Sequence, residues 1–148
     1  MRLNLFKTDG EEKVNIFYQE MTPVIEKVIR IVHKEKPTLY GTAEGEKTLL
    51  ELEEILYFDT VDRRSFAYTR EAAYQISQSI GSLEEELSEF GFIRINKSNM
   101  VNIYKIKKIK PEPNMRLKVL LANGEYLQIN RAYKRSFEDY LVKIRKTL

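Results

Sequence analysis

The feature that most constrains this chain is Asn123-Gly124, set between Leu117-Lys118-Val119-Leu120-Leu121 and Tyr126-Leu127-Gln128-Ile129. Asparagine followed by glycine favours the positive φ angles of a type I′ turn, whose twist matches that of two paired strands. The spacing therefore predicts an antiparallel hairpin, and a lone hairpin needs further strands to be stable in water. Such strands are available upstream. Thr38-Leu39-Tyr40-Gly41, Lys47-Thr48-Leu49-Leu50, Ile55-Leu56-Tyr57-Phe58, Ser65-Phe66-Ala67-Tyr68, Ala73-Tyr74-Gln75-Ile76 and Phe92-Ile93-Arg94-Ile95 are short β-prone runs between polar breaks. From Thr38 onward the chain reads as mostly β with a few helices, an α+β class.

Three helices are expected. Thr22-Pro23 offers an N-cap with proline at the first helical position, and Val24, Ile25, Val28, Ile29 and Val32 follow at helical spacing, predicting a helix over 23–35 that Pro37 ends. Ser82-x-x-Glu85 has the form of a capping box for a short acidic helix burying Leu83, Leu87 and Phe90. Tyr133, Phe137, Tyr140, Leu141 and Ile144 predict a terminal helix over 131–146. Ahead of the first helix, Leu3-Asn4-Leu5-Phe6 and Val14-Asn15-Ile16-Phe17-Tyr18 read as two strands joined across Asp9-Gly10. Residues 1–37 thus form a small strand–strand–helix unit, and residues 38–148 the main domain.

Composition narrows the chemistry. With no cysteine and only His33 as histidine, the chain has no thiol nucleophile, no histidine pair and no His/Cys zinc set. His33, near the end of the first helix, suits that helix's dipole. Glu84-Glu85-Glu86 lies in a first helical turn, where acidic side chains are favoured. Tyr57, Phe58, Tyr68, Tyr74, Phe90 and Phe92 fall among apolar neighbours, as core aromatics do. No apolar stretch approaches the length of a membrane span. The first residues turn polar at Lys7-Thr8-Asp9-Gly10, too soon for a signal peptide, so the expected location is the cytoplasm. An enzyme finds no acid–base pair, phosphate loop or cofactor motif here, and no cofactor is expected.

The charge is segregated. Residues 94–148 hold 14 Lys and Arg against 4 Asp and Glu; residues 1–93 hold 11 against 18, and the balances of +10 and −7 make up the net +3. A basic end of that size points to a polyanion, since each phosphate contacted releases counterions. Two clusters carry most of it. Arg94-Ile95-Asn96-Lys97-Ser98-Asn99 offers side chains suited to guanine, adenine and phosphate, though it also reads as a solvated turn. Asn130-Arg131-Ala132-Tyr133-Lys134-Arg135 opens the terminal helix with Asn130 as an N-cap candidate. Cations in a first turn oppose the helix dipole by about 0.3–1 kcal/mol each. Keeping Arg131, Lys134 and Arg135 there points to an anion. Asp62-Arg63-Arg64-Ser65 has two readings, a DNA-contacting loop or an ordinary hairpin tip.

Taken in order, Ile55–Asp59, the Leu83/Leu87 helix, Phe92 to Asn102, Ile106 to Ile109, Asn123-Gly124 and Asn130-Arg131 resemble the LytTR DNA-binding domain, from about Thr38 to the C-terminus. The resemblance implies an elongated β-sheet module that inserts loops into the major groove of double-stranded promoter DNA as a transcription regulator. It implies base contacts from Lys97 and Arg131 and also from Asn96, at a position often occupied by histidine in the family. It implies phosphate or supporting contacts from Arg94, Ser98, Asn99, Lys134 and Arg135, and a further DNA-facing loop at Arg63, Arg64 and Ser65. Family members commonly carry a receiver domain ahead of this module. Residues 1–36 cannot hold one, so a stand-alone regulator is expected, acting as a homodimer on paired half-sites, with a small membrane protein as a candidate partner. Two rivals remain: an RNA-binding module, which would expose aromatics on a sheet face, and a protein-interaction antagonist whose basic surface is incidental.

Overall fold

The computed structural model describes residues 1–33 and 36–147, and the chain divides into two compact units, residues 1–35 and 36–148. Within the first unit α1 spans Pro23–His33. Its start is the expected one: Thr22 Oγ1 accepts from the Ile25 N–H (3.3 Å) and the Thr22 carbonyl from that of Glu26 (3.0 Å). The last two positions of the expected helix, 34 and 35, lie outside the described residues. The two strands expected at 3–6 and 14–18 are not formed. A two-stranded ribbon is marginal without a sheet or helix to cover it, and here Leu3, Leu5, Phe6 and Phe17 are all 80% or more exposed.

The described residues of the second unit include ten strands. β1 (Leu39–Ala43), β2 (Glu46–Leu50), β3 (Tyr57–Val61), β4 (Arg64–Tyr68), β5 (Ala73–Ile76), β6 (Phe92–Arg94) and β7 (Asn99–Asn102) form one antiparallel sheet in the order β2-β1-β5-β4-β3-β7-β6. β8 (Ile106–Glu112), β9 (Arg116–Leu121) and β10 (Tyr126–Ile129) form a second, ordered β10-β9-β8. β8 is an edge strand, which is why Pro111 is tolerated in it. The unit also holds α2 (Ile80–Leu87), α3 (Arg131–Thr147) and short 3-10 turns at Leu52–Glu54, Ser88–Phe90 and Ile103–Lys105.

Strand alternation sends neighbouring residues to opposite faces of the larger sheet. Phe58 and Met100 join Leu39, Ile55, Leu83, Leu87 and Phe92 in one core, roofed by α2. Tyr57 and Val101 join Ile95, Val119, Leu121, Ile129 and Phe137 in the other, against the second sheet and α3. The middle of the sheet is therefore buried on both faces.

Two local expectations change. α2 is capped by Ser79, whose Oγ accepts from the Ser82 N–H (3.2 Å); Ser82 sits inside the helix and donates to Glu86 Oε1 (3.2 Å). The helix starts a turn earlier because Ile80 packs against the core beside Leu83 and Leu87. The β9–β10 turn is not a two-residue type I′ turn. Leu121 and Glu125 close a three-residue loop (Leu121 N–H to Glu125 O, 2.8 Å; Gly124 N–H to Leu121 O, 3.0 Å) in which Gly124 has a positive φ and Asn123 does not. Asn123 Oδ1 accepts from the Glu125 N–H (3.1 Å), so asparagine acts through its side chain.

Candidate nucleic-acid interface

The basic side chains converge because three loops are tied together by their backbones. β6 and β7 are joined by residues 95–98. The Ser98 carbonyl accepts from Thr60 N–H near the end of β3 (2.9 Å), and the Ile95 carbonyl from Asn130 N–H at the start of α3 (3.1 Å). Two residues beyond Thr60, Asp62 and Arg63 form the β3–β4 tip, closed by the pair Val61 and Arg64. Three expected clusters thus lie at one end of the unit, which we call the basic end.

Asn96 organises its loop. Its Oδ1 accepts from Ser98 N–H (2.9 Å), Ser98 Oγ (3.1 Å) and Asn99 N–H (2.9 Å). Its Nδ2 donates to Asn99 Oδ1 (3.0 Å) and to the Gln128 carbonyl (3.2 Å). Asn99 Nδ2 in turn donates to the Phe58 carbonyl (3.2 Å). Arg94 is half-buried, with one terminal nitrogen on Glu84 Oε2 (3.2 Å) and the other on the Lys97 carbonyl. These bonds hold Asn96, Ser98 and Asn99 partly buried and leave Lys97 exposed at the loop's apex. Lys97 makes no ion pair among the described residues.

The other two clusters divide in the same way. Arg63 and Arg64 are exposed, whereas Ser65 is 7% exposed within β4, between Thr60 and Ile76. At α3, Arg131 and Arg135 are exposed and Lys134 is half-buried, and no acidic residue lies in the first turn. The Asn130 carbonyl accepts from Tyr133 N–H (2.9 Å), as the residue before a helix does. Arg131, Lys134 and Arg135 line a groove of about 330 Å³ with Glu138, Asp139 and Met115. Met115 belongs to the β8–β9 tip, residues 113–115, which sequence reasoning passed over. The available signal was a turn after Pro111-x-Pro113 with no glycine in it.

The opposite end is closed by structural bonds. Tyr57 stacks on Tyr68 (4.5 Å between centroids, 8° between planes) and donates to Glu125 Oε2 (2.9 Å). Burial, reinforced by Glu125, raises the Tyr57 pKa, so the phenol stays a donor. Arg70 donates to the Ala122 carbonyl (3.1 Å), and Ala122 N–H to that of Lys105 (2.8 Å). Among the described residues no group of His, Cys, Asp or Glu is placed to hold a metal ion, and no helix is long and apolar enough to cross a membrane.

Residues 45–142 match the LytTr DNA-binding domain family. A protein of Staphylococcus aureus strain bovine RF122, named as an HTH-type transcriptional regulator, is 28% identical over 145 residues, covering 95% of this chain and 98% of that one. Its counterpart in strain MRSA252 is 27% identical over the same length. Despite that relative's name, α2 and α3 are separated here by five strands, and no tight helix–turn–helix occurs among the described residues. The LytTr DNA-binding domain of a putative methyl-accepting/DNA response regulator from Bacillus cereus shares the fold, with a TM-score of 0.68 at 22% identity, covering 72% of this chain and 97% of that one.

Proposed function

The chain belongs to the LytTr family of DNA-binding, transcription-regulating domains, and from that premise we propose that it reads duplex promoter DNA by inserting loops into the major groove. The observation that carries this is the split at the basic end between side chains that hold and side chains that reach. Lys97 and Arg131 are the base-reading pair, exposed at the apex of the β6–β7 loop and at the first residue of α3. Arg63, Arg64, Lys134 and Arg135 take the phosphates. Asn96, first expected to read a base, is assigned here to positioning, because both ends of its amide are already bonded within the protein. Arg94, Ser98 and Asn99 serve the same loop.

The test is competition binding to the gene's own upstream DNA at about 0.15 M salt, where weak surface attraction is screened. Arg131→Ala should cost about 1–3 kcal/mol and blur preference at one base position, as loss of a base contact does. Lys134→Ala should weaken all sequences alike and flatten the salt dependence. Unchanged affinity and preference in Arg131→Ala would sink the assignment of that residue.

The same reading includes two copies acting in the cytoplasm on paired half-sites, joined through the first unit. Two facts support that unit as the contact. Residues 1–35 carry six acidic and six basic side chains, so two copies do not repel as two basic ends would. Leu3, Leu5, Phe6, Phe17 and Val24 are exposed on it, as a self-association surface requires. Sedimentation with and without residues 1–35 decides it: a monomer in both cases removes the dimer, and leaves a small membrane protein as the candidate partner for that surface.

A further inference from the structure

The β8–β9 tip borders the basic side chains of α3 and has no role in the reading above. Its conformation is unfavourable for its residues: Asn114 and Met115 have φ of 64° and 60°. Asparagine tolerates left-handed backbone through local hydrogen bonds of its side chain; methionine has none to make. Met115 is also 58% exposed, so burial within the protein does not compensate. The tip is held in place nonetheless, because Arg116 Nε donates to the Pro113 carbonyl (3.2 Å).

Its surroundings indicate what it meets. Met115 lines the same groove as Arg131, Lys134 and Arg135, and the remaining wall is Glu138 and Asp139. Those two carboxylates repel phosphate from that wall, while an apolar thioether offers phosphate nothing. A base edge in the major groove suits both features, and its apolar part is the C5-methyl of thymine.

We propose that Met115 is a third base-contacting residue, packing its thioether against a thymine methyl next to the base that Arg131 addresses. The inference rests on the DNA-binding reading above and adds a residue and a base to it.

The experiment is a thermodynamic cycle on the full chain. Sites are selected from a randomised duplex pool by the wild type and by Met115→Gly, a substitution the left-handed φ accepts. Thermal melting confirms the fold, with a Tm at or above that of the wild type. Met115→Gly should bind the wild-type site about tenfold more weakly and lose preference for thymine at one position. Replacing that thymine by uracil removes only the methyl group. It should cost the wild type about fourfold and cost Met115→Gly nothing further. An equal uracil penalty in both proteins, or a variant that selects and binds as the wild type does, overturns the inference. Arg131→Ala, run beside them, separates the two failures. If it loses preference while Met115→Gly does not, the loop reading stands and Met115 falls. If the wild type itself prefers no duplex, both fall.

Discussion

The two ends of the strand-built unit solve the same turn problem differently. At the far end the β1–β2 tip pairs Glu44 (φ 50°) with Gly45 (φ 78°), and the β9–β10 tip places Gly124 (φ 89°) in the left-handed region. At the basic end the β3–β4 and β8–β9 tips place Arg63 (φ 64°) and Met115 (φ 60°) there. A left-handed L-residue costs about 1–2 kcal/mol, so the basic end, with Asp62, Arg63, Asn114 and Met115 left-handed against Glu44 at the far end, gives up more stability. The far end also spends its polar groups internally, Tyr57 on Glu125 and Arg70 on Ala122. The basic end leaves Arg63, Lys97 and Arg131 exposed. The difference separates a surface that must only be stable from one that must present side chains, and strain retained at a tip is consistent with function there.

The largest expected effect comes from removing the residue on which the basic end's order depends. Asn96→Ala deletes five hydrogen bonds made by one side chain. At roughly 0.5–1.5 kcal/mol each, reduced because water reaches part of the loop, the loss in stability should be about 2–3 kcal/mol. Binding should weaken for every sequence, since Lys97 loses its fixed position. Urea denaturation and DNA competition on the same protein check this. A variant with wild-type stability and relaxed preference at one base would instead make Asn96 a reader and blur the division between holding and reaching.

How much of this was legible in the sequence depends on whether the cause was local. Strands β1 to β5 and the β9–β10 hairpin were readable because alternation and turn residues are local signals. β7 was not: Asn99-Met100-Val101-Asn102 resembles the tail of a polar turn, and becomes a strand only because β3 and β6 flank it. The runs at 3–6 and 14–18 erred in the other direction, with strand composition and nothing to pair with. At the site, charge and family resemblance singled out Lys97 and Arg131, and both are exposed. The roles of Asn96 and Met115 were hidden, because a saturated amide and a strained tip are properties of partners and backbone rather than residue type.

A paired substitution tests the turn comparison at intermediate size. Gly124→Ala should destabilise by about 1 kcal/mol, since a Cβ there meets nothing within 4 Å and the cost is backbone conformation alone. DNA binding should be unchanged. Arg63→Gly should do the reverse, raising stability by about 0.5 kcal/mol after glycine's extra unfolded-state entropy is counted, while lowering affinity severalfold and flattening its salt dependence. Opposite signs in the two assays are the signature. Loss of stability in both variants would mean that the tips are not specialised.

The smallest effect separates the ends by pH. Burial pushes the Tyr140 phenol up to about 12, while it donates to the Ser88 carbonyl. Burial likewise raises Tyr57 and Tyr68, both remote from the basic loops. A phenol with a raised folded-state pKa contributes stability that is complete below the unfolded value of 10.0 and is lost as pH climbs through the folded value. The urea midpoint of the free protein should therefore hold from pH 7 to 9 and fall above 10, by less than about 1 kcal/mol per tyrosine at pH 10.5. Tyr140→Phe should reduce that fall. Over pH 7 to 9 the arginines stay charged, so DNA binding should hold as well. A midpoint that fell with binding already at pH 8 would show that the two ends are energetically one.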